Sequence, residues 1–350
     1  MRTPIILALI SCLALGACQS AGSGTLTWQS VADVAAFDTG TVYDVMAGGP
    51  GFVAVGSISE SGHTVAASWT STDGRTWTRG PDNPQLTDRL FLRVAHLGNA
   101  FLALGYSCAD TGECTGADIW TSPDGLTWSL SSTVSPDFRL QGMAADSSKV
   151  VVLADYTGAP GTTFESPDAK TWTQAAPAPG TGQPVLGALA FGGPGIVVVG
   201  SDDSGPCVWT SVDGLAWSQV ASGSALGTGE MRDVASSGSL FVSVGRSGSA
   251  ASAWASKDGR SWTRASSGAA LTGGTMDRVA SVGNQFIATG KDGSGGVIWS
   301  STDGLAWTKA ALGTSAGAEY GPIAAGAATV VAFGVDASQH VTILEATRPH

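Results

Sequence analysis

Arginine, carboxylate and tyrosine side chains recur at one kind of position, at or just before the start of short runs that are otherwise apolar. They are Tyr43, Asp44, Arg93, Arg139, Glu230, Arg232, Arg278 and Tyr320. Arginine forks bind carboxylates and other anions through paired N–H donors. A tyrosine or glutamate beside them would add a nucleophile or a proton donor. The set predicts a site that binds, or acts on, an anionic or glycan ligand. The alternative is a plug of salt bridges and water.

The elements that must position these residues follow a grid of tryptophans. Five tryptophan pairs stand eight residues apart, in a sixth copy Phe164 precedes Trp172 by the same interval, and Trp28 stands alone. The five pairs are Trp69 and Trp77, Trp120 and Trp128, Trp209 and Trp217, Trp254 and Trp262, and Trp299 and Trp307. Self-similarity at a period near 45 residues is typical of repeat architectures.

Each repeat contains four short strands. One complete unit comprises residues 231–237, 240–245, 251–255 and 261–264, separated by turns rich in Gly, Ser and Asp. No segment after residue 24 keeps a helical apolar period. Four strands per repeat predict the blades of a β-propeller, an all-β fold with a central channel.

The count of strands predicts seven blades in one domain, residues 25–350. Six complete sets begin near Val42, Phe91, Phe138, Val185, Met231 and Met276. Three further strands follow, around 320–326, 329–335 and 341–346, without a fourth. We expect residues 25–31 to pair with 341–346 as the missing outermost strand, because closure removes exposed sheet edges.

The turn between the last two strands of a repeat has the form Ser-x-Asp-Gly-x-x-Trp. Its aspartates are Asp73, Asp124, Asp168, Asp213, Asp258 and Asp303. This turn resembles the Asp-box, the bacterial neuraminidase repeat of sialidases and of many non-enzymatic propellers, although one residue is missing between Asp and Gly. The resemblance implies a structural role, in which Asp accepts backbone N–H bonds and Gly takes a left-handed corner. In the third repeat Ala169 replaces this Gly.

The same resemblance implies an alternative function, that of a sialidase-like glycoside hydrolase. Such an enzyme needs an arginine cluster for the substrate carboxylate, a tyrosine nucleophile beside a glutamate, and an acidic proton donor. Three features disfavour it. No Arg-Ile-Pro tripeptide occurs, sialidases have six blades rather than seven, and every tryptophan belongs to the repeat.

The N-terminal residues have the pattern of an export signal. Residues 4–17 are apolar behind Arg2 and too few to span a membrane, which predicts a signal peptide over residues 1–17. Leu15-Gly16-Ala17-Cys18 resembles the lipobox of bacterial lipoproteins, which implies lipidation of Cys18 and a tether over residues 18–24. The alternative is an ordinary cleavage site with an unrelated cysteine. The resulting expectation is a membrane-anchored protein, periplasmic or on the cell surface.

Two of the remaining cysteines bracket a hairpin loop. Cys108 and Cys114 are predicted to form a disulfide in an oxidising compartment, and a metal site is disfavoured because no histidine is nearby. Cys207 has no predicted partner and reads as a buried apolar residue. The four histidines are scattered, so we expect no metal and no cofactor.

A formal charge of −11 disfavours nucleic acid and anionic lipid surfaces as partners. We expect contact with the membrane only through the lipid anchor, and a monomeric protein. The leading hypothesis is a non-catalytic scaffold that binds an envelope protein or a glycan through the loops where the innermost strands begin.

Overall fold

The computed structural model describes residues 26–49, 51–108, 114–134, 139–156, 159–175, 184–193, 195–222, 226–312 and 318–348. These residues form seven four-stranded antiparallel sheets, each with its strands in chain order from the channel outwards except at the closing seam. The prediction of seven blades is therefore confirmed. Within the same residues no helix is long and apolar enough to cross a membrane.

The first four blades contain the following strands. Blade 1 has β2 (Gly40–Gly48), β3 (Gly51–Glu60), β4 (His63–Ser71) and β5 (Thr78–Arg79), and blade 2 has β6 (Arg89–Leu97), β7 (Ala100–Cys108), β8 (Cys114–Ser122) and β9 (Ser129–Thr133). Blade 3 has β10 (Arg139–Ala145), β11 (Val150–Tyr156), β12 (Ala159–Ser166) and β13 (Thr173–Gln174), and blade 4 has β14 (Val185–Gly192), β15 (Gly195–Asp202), β16 (Gly205–Ser211) and β17 (Ser218–Ser222).

The last three blades complete the ring. Blade 5 has β18 (Glu230–Ser236), β19 (Phe241–Ser247), β20 (Ala250–Ser256) and β21 (Thr263–Arg264), and blade 6 has β22 (Thr275–Val282), β23 (Gln285–Asp292), β24 (Gly295–Ser301) and β25 (Thr308–Lys309). Blade 7 has β26 (Glu319–Ala325), β27 (Thr329–Val335), β28 (Val341–Thr347) and, as its outermost strand, β1 (Trp28–Ser30). We call the face where the innermost strands begin the top, and the opposite face the bottom.

The closing seam joins the two ends of the chain. Trp28 pairs with Ala346 and Ser30 pairs with Leu344, as the sequence predicted. The strand, Trp28–Ser30, is shorter than the predicted residues 25–31. Val31 still donates its N–H to Ile343, and the chain then passes through a 3-10 turn at Ala35–Phe37 before blade 1 begins. Trp28 pairs near the bottom end of β28, so the residues before it approach from the bottom face.

The apolar core is divided into seven clusters, one between each pair of neighbouring blades. The first tryptophan of a pair is fully buried in its cluster: Trp69 lies between blades 7 and 1, and Trp299 between blades 5 and 6. The second strands, such as β3 and β15, are almost wholly buried because both their faces are covered by neighbouring blades. This packing explains their unbroken apolar runs.

The six Ser-x-Asp turns join the third and fourth strands at the bottom face. In blade 1, Asp73 Oδ1 accepts N–H bonds from Arg75 and Thr76, both 2.8 Å, and a bond from the Ser71 hydroxyl at 3.0 Å. These backbone donors outweigh burial and hold the pKa of Asp73 below its usual value. The same bonds recur at Asp124, Asp168, Asp213, Asp258 and Asp303.

The corner of each turn packs against the preceding blade. Gly304 has φ +72°, and a Cβ placed there would lie 2.5 Å from Val242 Cγ2 of blade 5. Ala169 holds the same left-handed conformation with φ +58° and is buried. The turns therefore lock each hairpin and also fit it to its neighbour.

An ion pair joins the first blade to the last. Arg75, in the turn of blade 1, donates to Glu345 Oε1 of blade 7 through Nε at 3.0 Å and Nη2 at 2.5 Å. Glu345 is 3% exposed, and its Oε2 has no hydrogen-bond partner among the described residues. The Arg75 guanidinium is thus the group that compensates a carboxylate buried between the first and last blades.

The two cysteines of blade 2 are directly opposed. Cys108 pairs with Cys114 across the β7–β8 ladder, and Cys108 is disulfide-bonded. The loop between them and the Cys114 side chain lie outside the described part of the chain, so the Cys108–Cys114 bond stays a prediction, with its geometry favoured by the register. Cys207 is a buried free thiol, and burial raises its pKa to about 12.

Candidate functional site on the top face

A β-bulge interrupts the innermost strand of every blade at the same place. The register shifts between Val42 and Asp44, Phe91 and Arg93, Leu140 and Gly142, Leu186 and Ala188, Met231 and Asp233, Met276 and Arg278, and Tyr320 and Ile323. A bulge places one extra residue on a strand and re-aims the side chains beside it. The residue after the bulge lines the channel in all seven blades.

These seven residues surround a cavity of about 170 Å³ on the channel axis. They are Asp44, Arg93, Gly142, Ala188, Asp233, Arg278 and Ile323. Two Asp–Arg pairs on successive blades, 1 and 2 and then 5 and 6, bring two positive and two negative charges into one enclosed space. Small or apolar residues fill the other three positions.

The two channel aspartates are bound to the walls. Asp44 accepts the N–H of Val45 in its own blade and that of Val94 in blade 2, both at 3.0 Å. Asp233 accepts the N–H of Val279 in blade 6 at 2.8 Å. Burial raises the pKa of both carboxyls, and the neighbouring arginines and N–H donors offset this only in part. Each aspartate therefore connects its blade to the next.

Arg93 and Arg278 are held differently. Each donates one N–H to the carbonyl of the preceding residue, Leu92 at 2.9 Å and Asp277 at 3.2 Å. Burial and, to a smaller extent, the positive charge of Arg278 outweigh the opposing effect of Asp44 and Asp233 and lower the pKa of Arg93 to about 10. Both guanidiniums line the cavity.

A second set of charges forms a chain of ion pairs at the channel mouth. Glu230 Oε1 accepts from Arg246 Nε at 2.8 Å and from Arg232 Nε at 2.6 Å, and Arg232 also pairs with Asp277. Burial disfavours ionisation of Glu230, but the bonds from Arg232 and Arg246 outweigh it and its pKa is lowered. Hydrogen bonds to Asp277 and Glu230 outweigh burial at Arg232 and raise its pKa. Lys291 and Glu319 pair nearby at 2.8 Å.

These ion pairs border a groove of about 410 Å³ on the top face between blades 5, 6, 7 and 1. Its charged walls are Arg232, Asp277, Lys291 and Glu319. Its other lining residues are mostly apolar or small: Thr41, Val42, Gly290, Tyr320, Gly321, Pro322, Phe333, Gly334, Val335 and Val341.

Tyr320 forms part of the groove floor and is 3% exposed. Its ring lies between two glycines: a Cβ at Gly296 would approach it to 2.4 Å and a Cβ at Gly334 to 2.7 Å. Any larger residue at either glycine would displace the ring. The tyrosine therefore shapes the groove from below.

The predicted site residues thus fall into separate places. Asp44, Arg93 and Arg278 lie in the channel, Glu230 and Arg232 lie at the mouth, and Tyr320 lies beneath the groove. Tyr43 is the bulged residue of blade 1 and is half-buried, and the Arg139 side chain lies outside the described part of the chain. Among the described side chains, the arginine cluster that the glycosidase hypothesis requires is divided: Arg93 and Arg278 line the channel, and Arg232 lines the groove with Glu319 and Tyr320.

Sequence reasoning missed the apolar lining of the groove and the separation of neighbouring residues by the bulges. Pro322, Phe333 and Val335 line the groove and were not among the predicted site residues. No group of three or more His, Cys, Asp or Glu side chains that could hold a metal occurs within the described ranges.

Fold and site together define a closed seven-bladed β-propeller with a charged channel and a top-face groove. Residues 211–339 match the DUF6242 beta propeller domain. No curated protein matches the sequence significantly.

Solved propellers share the architecture. A structure of YCF48 bound to D1 peptide is 15% identical, with 94% of this chain and 98% of that chain covered at a TM-score of 0.61. The β-propeller domain of the Trilobed protease from Pyrococcus furiosus is 9% identical, covers 87% of this chain and 94% of its own, and has a TM-score of 0.57. Pyrococcus horikoshii acylaminoacyl peptidase is 9% identical over 88% of this chain and 51% of its own, with a TM-score of 0.56. At these identities the likeness shows the fold alone.

Proposed function

We propose that the protein is an exported, lipid-anchored binding scaffold without catalytic activity, and that its top-face groove binds a segment of a partner polypeptide. The observation that carries this proposal is the groove itself, about 410 Å³ with an apolar floor and charged walls of both signs. Apolar pockets with a few placed polar groups are typical ligand sites. The ion pairs at the rim can orient a chain that carries charges of its own.

A polypeptide suits the groove better than a glycan. Sugar sites commonly offer exposed aromatic faces, but all twelve tryptophans of this chain are buried or half-buried in the blades. The solved structure of YCF48, which has the same fold, contains a bound peptide. That likeness supports a peptide ligand here as a proposal.

The route of the chain suggests how the groove is presented. The predicted lipid on Cys18 would lie only seven residues before Thr25, and the following strand β1 starts at the bottom face. We propose that the bottom face lies near the membrane and that the groove points away from it. A Cys18→Ser variant that still incorporates labelled palmitate would remove the anchor from this proposal.

Site-specific photocrosslinking tests the groove. Thr41 borders the groove and stands one residue before Val42, which pairs with a glycine of the second strand. Val185 has the same register position in blade 4, one residue before a residue that pairs with a glycine, and it lies outside the groove. A crosslinking amino acid at position 41, but not at 185, should capture a discrete partner in cells. The adduct should decrease when Val335→Glu places a charge on the groove lining. Equal adducts from both positions, or no change with Val335→Glu, would contradict a groove-specific ligand.

A further inference from the structure

We propose that the channel cavity binds one small oxyanion, a carboxylate, sulfate or phosphate, between the guanidiniums of Arg93 and Arg278. This site is separate from the groove, and its existence does not depend on the function proposed above. Arginine is suited to it because its planar fork binds two oxygens of one anion.

Most N–H donors of Arg93 and Arg278 are unused by the protein. Each guanidinium carries five N–H donors, and only one bond from each is made within the channel wall, to the carbonyl of Leu92 or Asp277. Neither arginine forms a contact ion pair with a carboxylate among the described residues, in contrast to Arg232 at the mouth. Their remaining donors border the cavity.

The two channel aspartates do not neutralise the arginines by direct contact. Asp44 and Asp233 instead accept backbone N–H bonds that connect neighbouring blades. These bonds engage both oxygens of Asp44 and turn the carboxylates toward the walls. The aspartates therefore lower the cost of two positive charges in the channel without occupying the arginine donors.

The two channel arginines are close enough to repel each other. They line the same cavity, and the charge of Arg278 lowers the pKa of Arg93. Two like charges that line one narrow channel repel each other more than they would in bulk water. An anion bound to both would replace this repulsion with two attractive contacts.

The size of the cavity limits the ligand class. At about 30 Å³ of liquid volume per water, a space of about 170 Å³ holds roughly six waters or one small oxyanion. A peptide segment is too large. The other lining residues, such as Gly142, Ala188 and Ile323, are apolar or glycine, so the side-chain donors to a bound anion would come from Arg93 and Arg278.

Equilibrium dialysis tests the proposal with the whole folded protein. Labelled sulfate, phosphate and acetate are each measured at constant ionic strength set with sodium chloride. We expect saturable binding of at least one of them at one site per chain. The anion that binds most tightly separates a tetrahedral ligand from a carboxylate.

Variants then locate the site. Arg93→Gln and Arg278→Gln should each weaken binding by about tenfold or more, because each removes charge-assisted hydrogen bonds. Arg260→Gln, in a bottom-face turn, should leave affinity unchanged. Arg93→Lys keeps the charge but not the fork and should bind several-fold more weakly, with a native near-UV spectrum as the check on folding. No saturable binding, or binding that both glutamine variants retain, would overturn the proposal.

Discussion

Removal of a single turn aspartate tests how the blades are stabilised. Asp213 Oδ1 accepts three hydrogen bonds, each 2.9 Å, from Leu215 N, Ala216 N and the Ser211 hydroxyl. The backbone N–H groups of Ala216 and Leu215 lower the pKa of Asp213, so these bonds favour its ionised form. Asp213→Ala removes all three bonds and leaves two N–H groups without their acceptor.

The size of the effect follows from these bonds and from the exposure of the turn. A net 0.5–1.5 kcal/mol per bond would give about 1.5–4.5 kcal/mol for three bonds. Water can reach the freed donors at this partly exposed turn, so we expect a loss of about 1–2 kcal/mol in the free energy of unfolding. Asp213→Asn keeps one acceptor oxygen and should lie between wild type and Asp213→Ala.

Urea unfolding followed by tryptophan fluorescence measures this loss. Asp203→Ala is the matched control, because it removes the same charge from an exposed turn of the same blade and takes no part in the Ser-x-Asp turn. A control variant as destabilising as Asp213→Ala would refute the reasoning, since charge rather than hydrogen bonding would then explain the effect. Binding at the groove on the opposite face should not change.

Three further perturbations have matched controls or a defined pH window. Gly304→Ala should destabilise the protein by about 2 kcal/mol more than Gly248→Ala in thermal unfolding. Both glycines have positive φ, but only at Gly304 would an added Cβ lie 2.5 Å from a side chain of the neighbouring blade. Equal losses from the two variants would contradict the packing of the corner. Arg75→Ala should cost about 1–3 kcal/mol in urea unfolding by leaving a buried carboxylate unpaired, whereas Arg260→Ala, at the same turn position in blade 5, should change stability by less than about 0.5 kcal/mol. The pKa of Asp258 is lowered to about 2, chiefly by N–H bonds in its turn. The stabilisation that Asp258 provides is therefore complete above the unfolded pKa of about 4 and is lost as pH falls through about 2. Asp258→Asn should flatten the curve of unfolding free energy against pH in that window. An unchanged slope would contradict this.

The architecture was predictable because the tryptophan grid reports packing directly. Trp69 and Trp299 repeat along the sequence since each fills the same space between blades. The last repeat lacked its tryptophan-bearing fourth strand, and Trp28 stood alone near the start of the sequence. Together these two observations predicted closure of blade 7 by the N-terminal strand. Repetition supplied many independent copies of the same signal.

The site was less predictable because it depends on where each strand departs from regularity. Arg232 and Asp233 are adjacent in sequence. The bulge between Met231 and Asp233 separates them: Arg232 lies at the groove and Asp233 in the channel. No residue type marks a bulge, since Tyr43 and Gly187 both occupy this position. Strand alternation alone therefore cannot assign these side chains.

The seam between β1 and β28 has a consequence for the order of folding. Trp28 and Ala346, which pair there, are more than 300 residues apart, so β1 must wait for a strand that is synthesised much later. Joining such distant ends of a flexible chain would cost about 5 kcal/mol in loop entropy. Blades that stack in sequence reduce this cost, because each newly formed interface shortens the free chain between the ends. Ring closure is then the slow, late event of folding, and an incomplete chain presents an open sheet edge to other molecules.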